Sequence, residues 1–511
     1  MKRLPTATEP PAGDSIDRIG SRRAPTLAGE ATAGLRGLLE RNVFTVLVLA
    51  ACAAVQAVFV RGAVVADGWY SLLGGRVVAA GGLPGRDTLT AMTLGRDWVD
   101  QQWLAHLTLY ELWNAAGWRL AAISLLVFYL GTFAVASIAA RRLGASDRSV
   151  AAIVFVSFIA GLPNTVFRAQ IIAYPLFALV LSLLLADSRR AGRLVYLVFP
   201  LLALWANIHG SVVVGAALVT LRGLTFAAER LRARAPLRSF AGGALALLLL
   251  PWPCTLISPY GLALPGYYRS VLDNSTLTHS IVEWSPSTLR GQPIFFALLL
   301  AGLWIAARSG PALTRFSKLA LLCLGILGLV AVRNDVWFAI AGAVVLPAAL
   351  DRVWAPGKGE RRAGLNLALA TAGAVVAVVA VASVASHGRS WFERSYPPRA
   401  AEVVAAAADS SPGLRIFANE EYADWLLFEK PQLTGRIAYD VRFELLPSAR
   451  LQEIVDFRLE HGLDWQRAVN GYGLLVLDPA GDRGAVRLFT RLPGTTVLFR
   501  DAYVVVLRRR T

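Results

Sequence analysis

Residues 64–87 read "VVADGWYSLLGGRVVAAGGLPGRD", and they follow directly on the apolar run that begins at Asn42. A carboxylate, Asp67, therefore stands just beyond a stretch long and apolar enough to cross a bilayer, which needs about 20 such residues. Trp69, Tyr70 and a glycine-rich ladder come next, and a second carboxylate, Asp87, closes the stretch. Working outward, further apolar runs cover 118–140, 149–163, 170–186, 194–208, 211–228, 240–257, 292–307, 317–332, 335–350 and 364–386. Together with 43–61 they predict an α-helical polytopic membrane protein of about eleven transmembrane helices.

Composition agrees. Of 511 residues, 56% are hydrophobic and 17% charged, where a soluble domain is nearer one quarter charged. The formal net charge is +17, but the basic residues fall in short clusters between apolar runs, so nucleic acid is not an expected partner and the lipid bilayer is. The clusters are Arg141, Arg142 and Arg148; Arg189, Arg190 and Arg193; Arg230, Arg232, Arg234 and Arg238; Arg308, Arg315 and Lys318; and Arg352, Lys358, Arg361 and Arg362. Each follows an even-numbered run. With the N-terminus inside, all become cytoplasmic, as the positive-inside rule asks. The expected organisation is a disordered cytoplasmic tail (1–42), a membrane domain (43–386) with a long outer loop (62–117), and an extracytoplasmic α/β domain (387–511).

Carboxylates and histidines gather on the expected outer side. The loop 62–117 holds Asp67, Asp87, Asp97, Asp100, His106 and Glu111, and a second outer segment, 258–291, holds Asp273, His279 and Glu283. Asn274-Ser275-Thr276 matches a glycosylation acceptor, a triplet common by chance. Asp67 can be an N-cap for a helix starting near Trp69, or a general base shielded at the membrane boundary. Trp69 and Tyr70 suit the headgroup level, as do Trp98, Trp103, Tyr110 and Trp113 of an amphipathic stretch at 97–113. Asp87, Asp97 and Asp100 have the oxygen chemistry for Mg²⁺ or Mn²⁺, but their spacing fits no metal loop, and solvated loop charges are the plainer reading. Cys52, Cys254 and Cys323 lie in apolar runs without metal-ligand spacing. In the tail, 415–418, 435–440, 473–478, 495–499 and 502–509 read as strands, the last two joined by a tight turn at Arg500-Asp501. Helices are expected at 399–409, 420–429 and 446–460.

The pattern D-x-x-Y, then G-x-P-x-x-D, then W-L just after the first span resembles the first outer loop of the GT-C superfamily. These are polytopic glycosyltransferases that use polyprenyl-phosphate sugars, including protein mannosyltransferases and aminoarabinose transferases. The segment "DWLLFEKPQLTGRIAYDVRFELL" (424–446) is similar to the outer domain of bacterial membrane proteins in this group. The resemblance implies a catalytic Asp at the end of the first span, which falls on Asp67. Several families carry Glu immediately after that Asp, and here the position is Gly68. It also implies a bacterial cell (inner) membrane protein with a polyprenyl-phosphate-linked donor and a cell-envelope glycan, lipid or protein as acceptor. The leaving phosphate would need cationic or hydrogen-bonding partners, for which Arg168, His209 and Arg333 are the candidates. Tyr70, Asp87, Asp97 and Asp100 are candidates for the acceptor or loop site.

The bland readings are a salt bridge to Asp335 for Arg333, a structural role for His209 in "LWANIHGS", and an ion-paired turn for Asp424, Asp440, Arg442 and Glu444. The rival class is a transporter or flippase of a lipid-linked saccharide, or an inactive scaffold. A transporter would carry its ionisable groups at mid-membrane and show repeats; neither stands out here. Walker A, dinucleotide, zinc-protease and nucleophile-elbow motifs are missing from the sequence.

Overall fold

The computed structural model describes residues 34, 36–272, 276, 282–354 and 362–510. Most of the expected N-terminal tail lies outside them, as do Asp273, Asn274-Ser275, His279, Lys358 and Arg361.

The membrane part runs through α1 (Val43–Phe59), α2 (Ala66–Gly81), α3 (Trp103–Arg142), α4 (Asp147–Gly161), α5 (Gln170–Arg189), α6 (Val198–Trp205), α7 (Val212–Arg232), α8 (Ala241–Leu249), α9 (Leu264–Leu272), α10 (Pro293–Arg308), α11 (Arg315–Val330), α12 (Asp335–Val353) and α13 (Ala363–Ser386). All eleven expected apolar runs coincide with helix, but among the described residues only six helices are long and apolar enough to cross a membrane. The other five are shorter. The 15 residues of α4 and the 16 of α10 and α11 span about 23 Å at 1.5 Å per residue, against a core of roughly 30 Å. Run length by itself supports six of the eleven expected crossings. The amphipathic stretch and the span behind it form one helix, α3, interrupted where Ala116 and Gly117 leave helical geometry (Gly117 φ 62°).

One end of the bundle is a polar clasp. Asp147 accepts from the Phe44 and Thr45 amides at 2.8 and 3.1 Å. Arg141 donates to Asn42 at 2.9 Å, and Asp351 accepts from the Ser146 amide at 2.6 Å. The starts of α1 and α4 and the ends of α3 and α12 therefore lie together, beside the basic clusters. Asp67, Arg168, His209 and Arg333 sit at the opposite ends of these helices.

After α13 come α14 (Pro398–Asp409), β1 (Ile416–Ala418), α15 (Glu420–Glu429), α16 (Ser448–Leu459), β2 (Leu474–Leu477), α17 (Arg483–Arg491), β3 (Thr496–Arg500) and β4 (Val505–Arg508). The sheet order is β1-β2-β4-β3, with β1 and β2 parallel and the other pairs antiparallel. The β3–β4 turn is longer than the two residues expected. Asp501 accepts from the Tyr503 and Val504 amides, and the register shifts between Val497 and Phe499. The expected strand 435–440 makes one bridge to β1, at Ile437, and its other edge is taken by the first loop. Ala91 and Met92 donate to Ile437 and Ala438 at 2.7 and 2.9 Å, and Gly435 donates to Leu89 at 2.8 Å.

That junction is locked by charge. Arg442 is 2% exposed. Its Nη2 lies 2.8 Å from Asp87, and its Nε lies 3.0 and 2.9 Å from the two oxygens of Asp440. Its guanidinium lies 4.3 Å over the Trp98 ring. Asp87 also accepts from the Leu89 amide and from Thr90 and Thr93. Removing one partner of a buried ion pair costs about 3–5 kcal/mol, because the other charge stays buried. Arg442→Met is therefore expected to loosen the junction first. Hydrogen exchange at amides 435–446 should rise sharply while exchange in α12 stays slow; unchanged exchange at 435–446 would show that the triad does not hold it.

Candidate functional site

A polar cavity of about 120 Å³ lies where the loop after α1, the segments before α5, α7 and α12, helix α9 and the turn 441–444 converge. That is room for about four waters. Asp67, Tyr70, Asp100, Arg168, His209 and Arg333 all line it, and so do His106, Tyr267 and Glu444.

Asp67 is the second residue of α2. The helix starts at Ala66 with Val65 at the N-cap, so the carboxylate caps nothing and faces the cavity, 45% exposed. Gly68 explains how it meets its partner. A Cβ at this position would lie 2.8 Å from the Phe167 carbonyl oxygen, and the Phe167 amide donates to the Ala63 carbonyl at 2.8 Å. The bare backbone of Gly68 lets the 167–168 segment press against the start of α2, which puts Arg168 Nη1 3.6 Å from Asp67 Oδ2. A second carboxylate does reach this guanidinium, from elsewhere in the chain: Glu283, at 2.6 Å. Gly75 has the matching role one face round. A Cβ there would fall 2.2 Å from the His106 carbonyl, so α2 and α3 touch backbone to backbone.

The electrostatics divide the cavity. Burial raises the Asp67 carboxyl above its ordinary value, with Arg168 opposing. Burial works against the charge of Arg168, but Glu283 and Asp67 outweigh it and hold the guanidinium protonated. Arg168 Nε is buried and has no hydrogen-bond partner among the described residues. Arg333 lies 4.6 Å over the Trp284 ring. Among the described residues no carboxylate is within ion-pair distance of it, because Asp335 instead accepts from Asn164 at 2.8 Å. The expected salt bridge between Arg333 and Asp335 is therefore not formed. His209 is neutral, its pKa lowered well below the ordinary value by burial and by Arg333 and Arg168. Its Nδ1 accepts from the Ser211 amide at 3.1 Å, which leaves the proton on Nε2. It can donate a hydrogen bond and does not supply charge. Asn207 is a tie, joining Trp103 at 2.9 Å and the Ile257 carbonyl at 2.7 Å.

Other expected site residues go elsewhere. Asp87 is fully buried in the Arg442 lock, where Arg442, Thr93 and the Leu89 amide overcome burial and hold it below the usual carboxylate range. Asp97 is exposed and bridges Arg86 through backbone. Asp100 pairs with His106 Nδ1 at 2.9 Å, both side chains 1% exposed. The three carboxylates considered for Mg²⁺ or Mn²⁺ are thus dispersed, and no group of three or more His, Cys, Asp or Glu converges among the described residues. The charge between Asp67 and Glu283 is supplied by a guanidinium. Trp69 and Trp98 are not at an interface either. Trp69 is fully buried against Trp118, Tyr396 and Phe428, and Trp98 lies under Arg442.

No protein-family model and no curated protein matches the chain. Among solved structures, the chain is similar to ArnT from Cupriavidus metallidurans bound to undecaprenyl phosphate, at 15% identity and a TM-score of 0.47, over 94% of this chain and 98% of that one. It is similar to the Archaeoglobus fulgidus oligosaccharyltransferase in the apo form, at 13% identity and a TM-score of 0.47, over 85% and 69%. The archaeal oligosaccharyltransferase AglB from the same organism, in complex with an inhibitory peptide and a dolichol-phosphate, matches at 13% and 0.45 over the same shares.

Gly68→Ala tests the close approach. Overpacking costs about 1–3 kcal/mol, and here the obstacle is backbone. The variant is expected to melt lower and to lose cavity function at least about tenfold, since a displacement near 1 Å at a reacting centre costs up to about 10²-fold. Melting and function both unchanged would show that α2 shifts freely.

Proposed function

We propose that the protein is an integral membrane glycosyltransferase that moves a sugar from a polyprenyl-phosphate donor to an acceptor hydroxyl on the outer side of the membrane. The observation that carries this is the pairing in one cavity of a carboxylate-bound arginine, Arg168, with Arg333, which has no carboxylate partner among the described residues. Two guanidiniums at the end of a membrane bundle suit a phosphate that gains charge as it leaves. His209 would add a neutral hydrogen bond. A lipid-borne donor also accounts for a chain without a nucleotide-binding motif. The donor would enter laterally from the outer leaflet. Asp67 is the catalytic carboxylate at the phosphate end, able to take a proton and holding Arg168 in place. The segment 441–444 closes the cavity and would help choose the acceptor.

The test is transfer in lipid vesicles from a panel of labelled polyprenyl-phosphate sugars to an envelope extract. Asp67→Asn is expected to lose about 10²-fold or more in rate, the scale of one proton-transfer or charge-stabilising group. Asp97→Asn, outside the cavity, should stay within about twofold of wild type. Transfer that survives Asp67→Asn would remove Asp67 from the chemistry, and a wild-type protein inert to every donor would remove the activity.

A further inference from the structure

One cavity carboxylate has no duty in that reaction. Glu444 lines the cavity from the short turn Phe443–Leu445, and among the described residues no other side chain hydrogen-bonds to it. We propose, resting on the reading above, that Glu444 accepts the proton of the acceptor hydroxyl, so that the segment after the membrane domain supplies the base and Asp67 serves the phosphate end.

Placement is the first argument. The charged neighbours of Asp67 are Arg168, Glu283 and Arg333, whereas those of Glu444 are Arg442, Asp440 and Asp100. Tyr267 from α9 lines the same cavity and neighbours members of both sets, Glu444 and Asp100 of one and Arg333 of the other. A single displacement at a sugar needs its base on the face opposite the leaving group. With phosphate at the arginines, Glu444 is a cavity-lining carboxylate outside the set of charges around them. Availability is the second argument. Arg442 is taken up by Asp87 and Asp440, Asp100 is held by His106, and Asp67 and Glu283 share Arg168. Glu444 alone among these carboxylates has no such partner.

Its surroundings suit the task. Burial, with Asp440 and Asp100 assisting and Arg442 opposing, pushes the Glu444 carboxyl up to about 7, near the working pH at which a general base is most effective. Tyr70 from α2 and Tyr267 also face it, both kept protonated by burial. In the step, the acceptor O–H proton passes to a Glu444 oxygen as the acceptor oxygen bonds the anomeric carbon. The bond from that carbon to the phosphate oxygen breaks, and its electron pair leaves with polyprenyl phosphate, whose new charge falls to Arg168 and Arg333.

Two measurements test this. Because burial also raises Glu421 to about 7, the infrared readout on the full-length protein in lipid is a difference: Glu444→Gln should lack one protonated-carboxyl component that wild type titrates between about pH 6 and 8, and Asp67→Asn should keep that component. Where wild-type transfer is found, its kcat/KM should rise with pH through about 7, since the base must be ionised. Glu444→Gln should lose that rise and about 10²-fold in rate, and Glu444→Asp should recover part of the rate and keep a rise. Asp67→Asn should lower the rate with the rise intact. A Glu444→Gln variant that keeps the rise, or whose titrating carboxyl bands equal those of wild type, would overturn the proposal. The infrared arm decides on Glu444 even if no donor in the panel is used, so failure of the glycosyltransferase reading is seen separately.

Discussion

A guanidinium in a protein interior is tolerable only with its counter-charges in place, and Arg442 is held between Asp87 and Asp440 with Trp98 beneath it. The two carboxylates come from segments far apart in sequence, one from the loop after α2 and one from the chain after α13. The pairing therefore does what no local preference could. It aligns Leu89–Met92 along 435–438, extends the sheet edge by a strand-like layer, and presents Val441 and Glu444 to a cavity whose other walls belong to the membrane helices. Asp424, fully buried, assists by accepting from the Val441 amide at 3.3 Å.

The cavity itself follows from two close approaches. Gly68 and Gly75 remove side chains where α2 meets the 167–168 segment and α3. Arg168 and His106 reach the cavity because of those bare positions. The Arg168 environment then has two carboxylates around one cation, while Arg333 rests on an indole and, among the described residues, has no carboxylate within ion-pair distance. An added anion gains most at Arg333 and near Arg168 Nε, which has no hydrogen-bond partner among the described residues, and this is what supports the proposed phosphate end.

Part of this was legible beforehand. Helix positions followed from apolar run length, and the basic clusters separated the helix ends into two groups, so Asp67, Arg168, His209 and Arg333 could be placed at one end without coordinates. Side-chain partners could not. Asp87, Asp97 and Asp100 look alike in sequence, yet one is locked in an ion pair, one is exposed and one holds a histidine. Trp69 and Trp98 carry the composition of interfacial residues but are buried, because tertiary neighbours from 391–442 cover them. Glu283 and Glu444 gave a weak signal, a carboxylate on the expected outer side beside an aromatic or an arginine, and nothing local distinguished them from solvated charges.

The sequence by itself determined a multi-pass helical protein, which end of its helices carries the polar residues, and where α14, α15, α16 and most strands of the tail begin and end. These are properties of periodicity, run length and charge position, which act over a few residues. Tertiary structure decided which charges cancel and which stay available, because pairing energy depends on distance and burial across hundreds of residues. It also decided the meaning of Gly68. In sequence it is the place where a second carboxylate is missing; in the fold it is the gap that lets Arg168 reach Asp67.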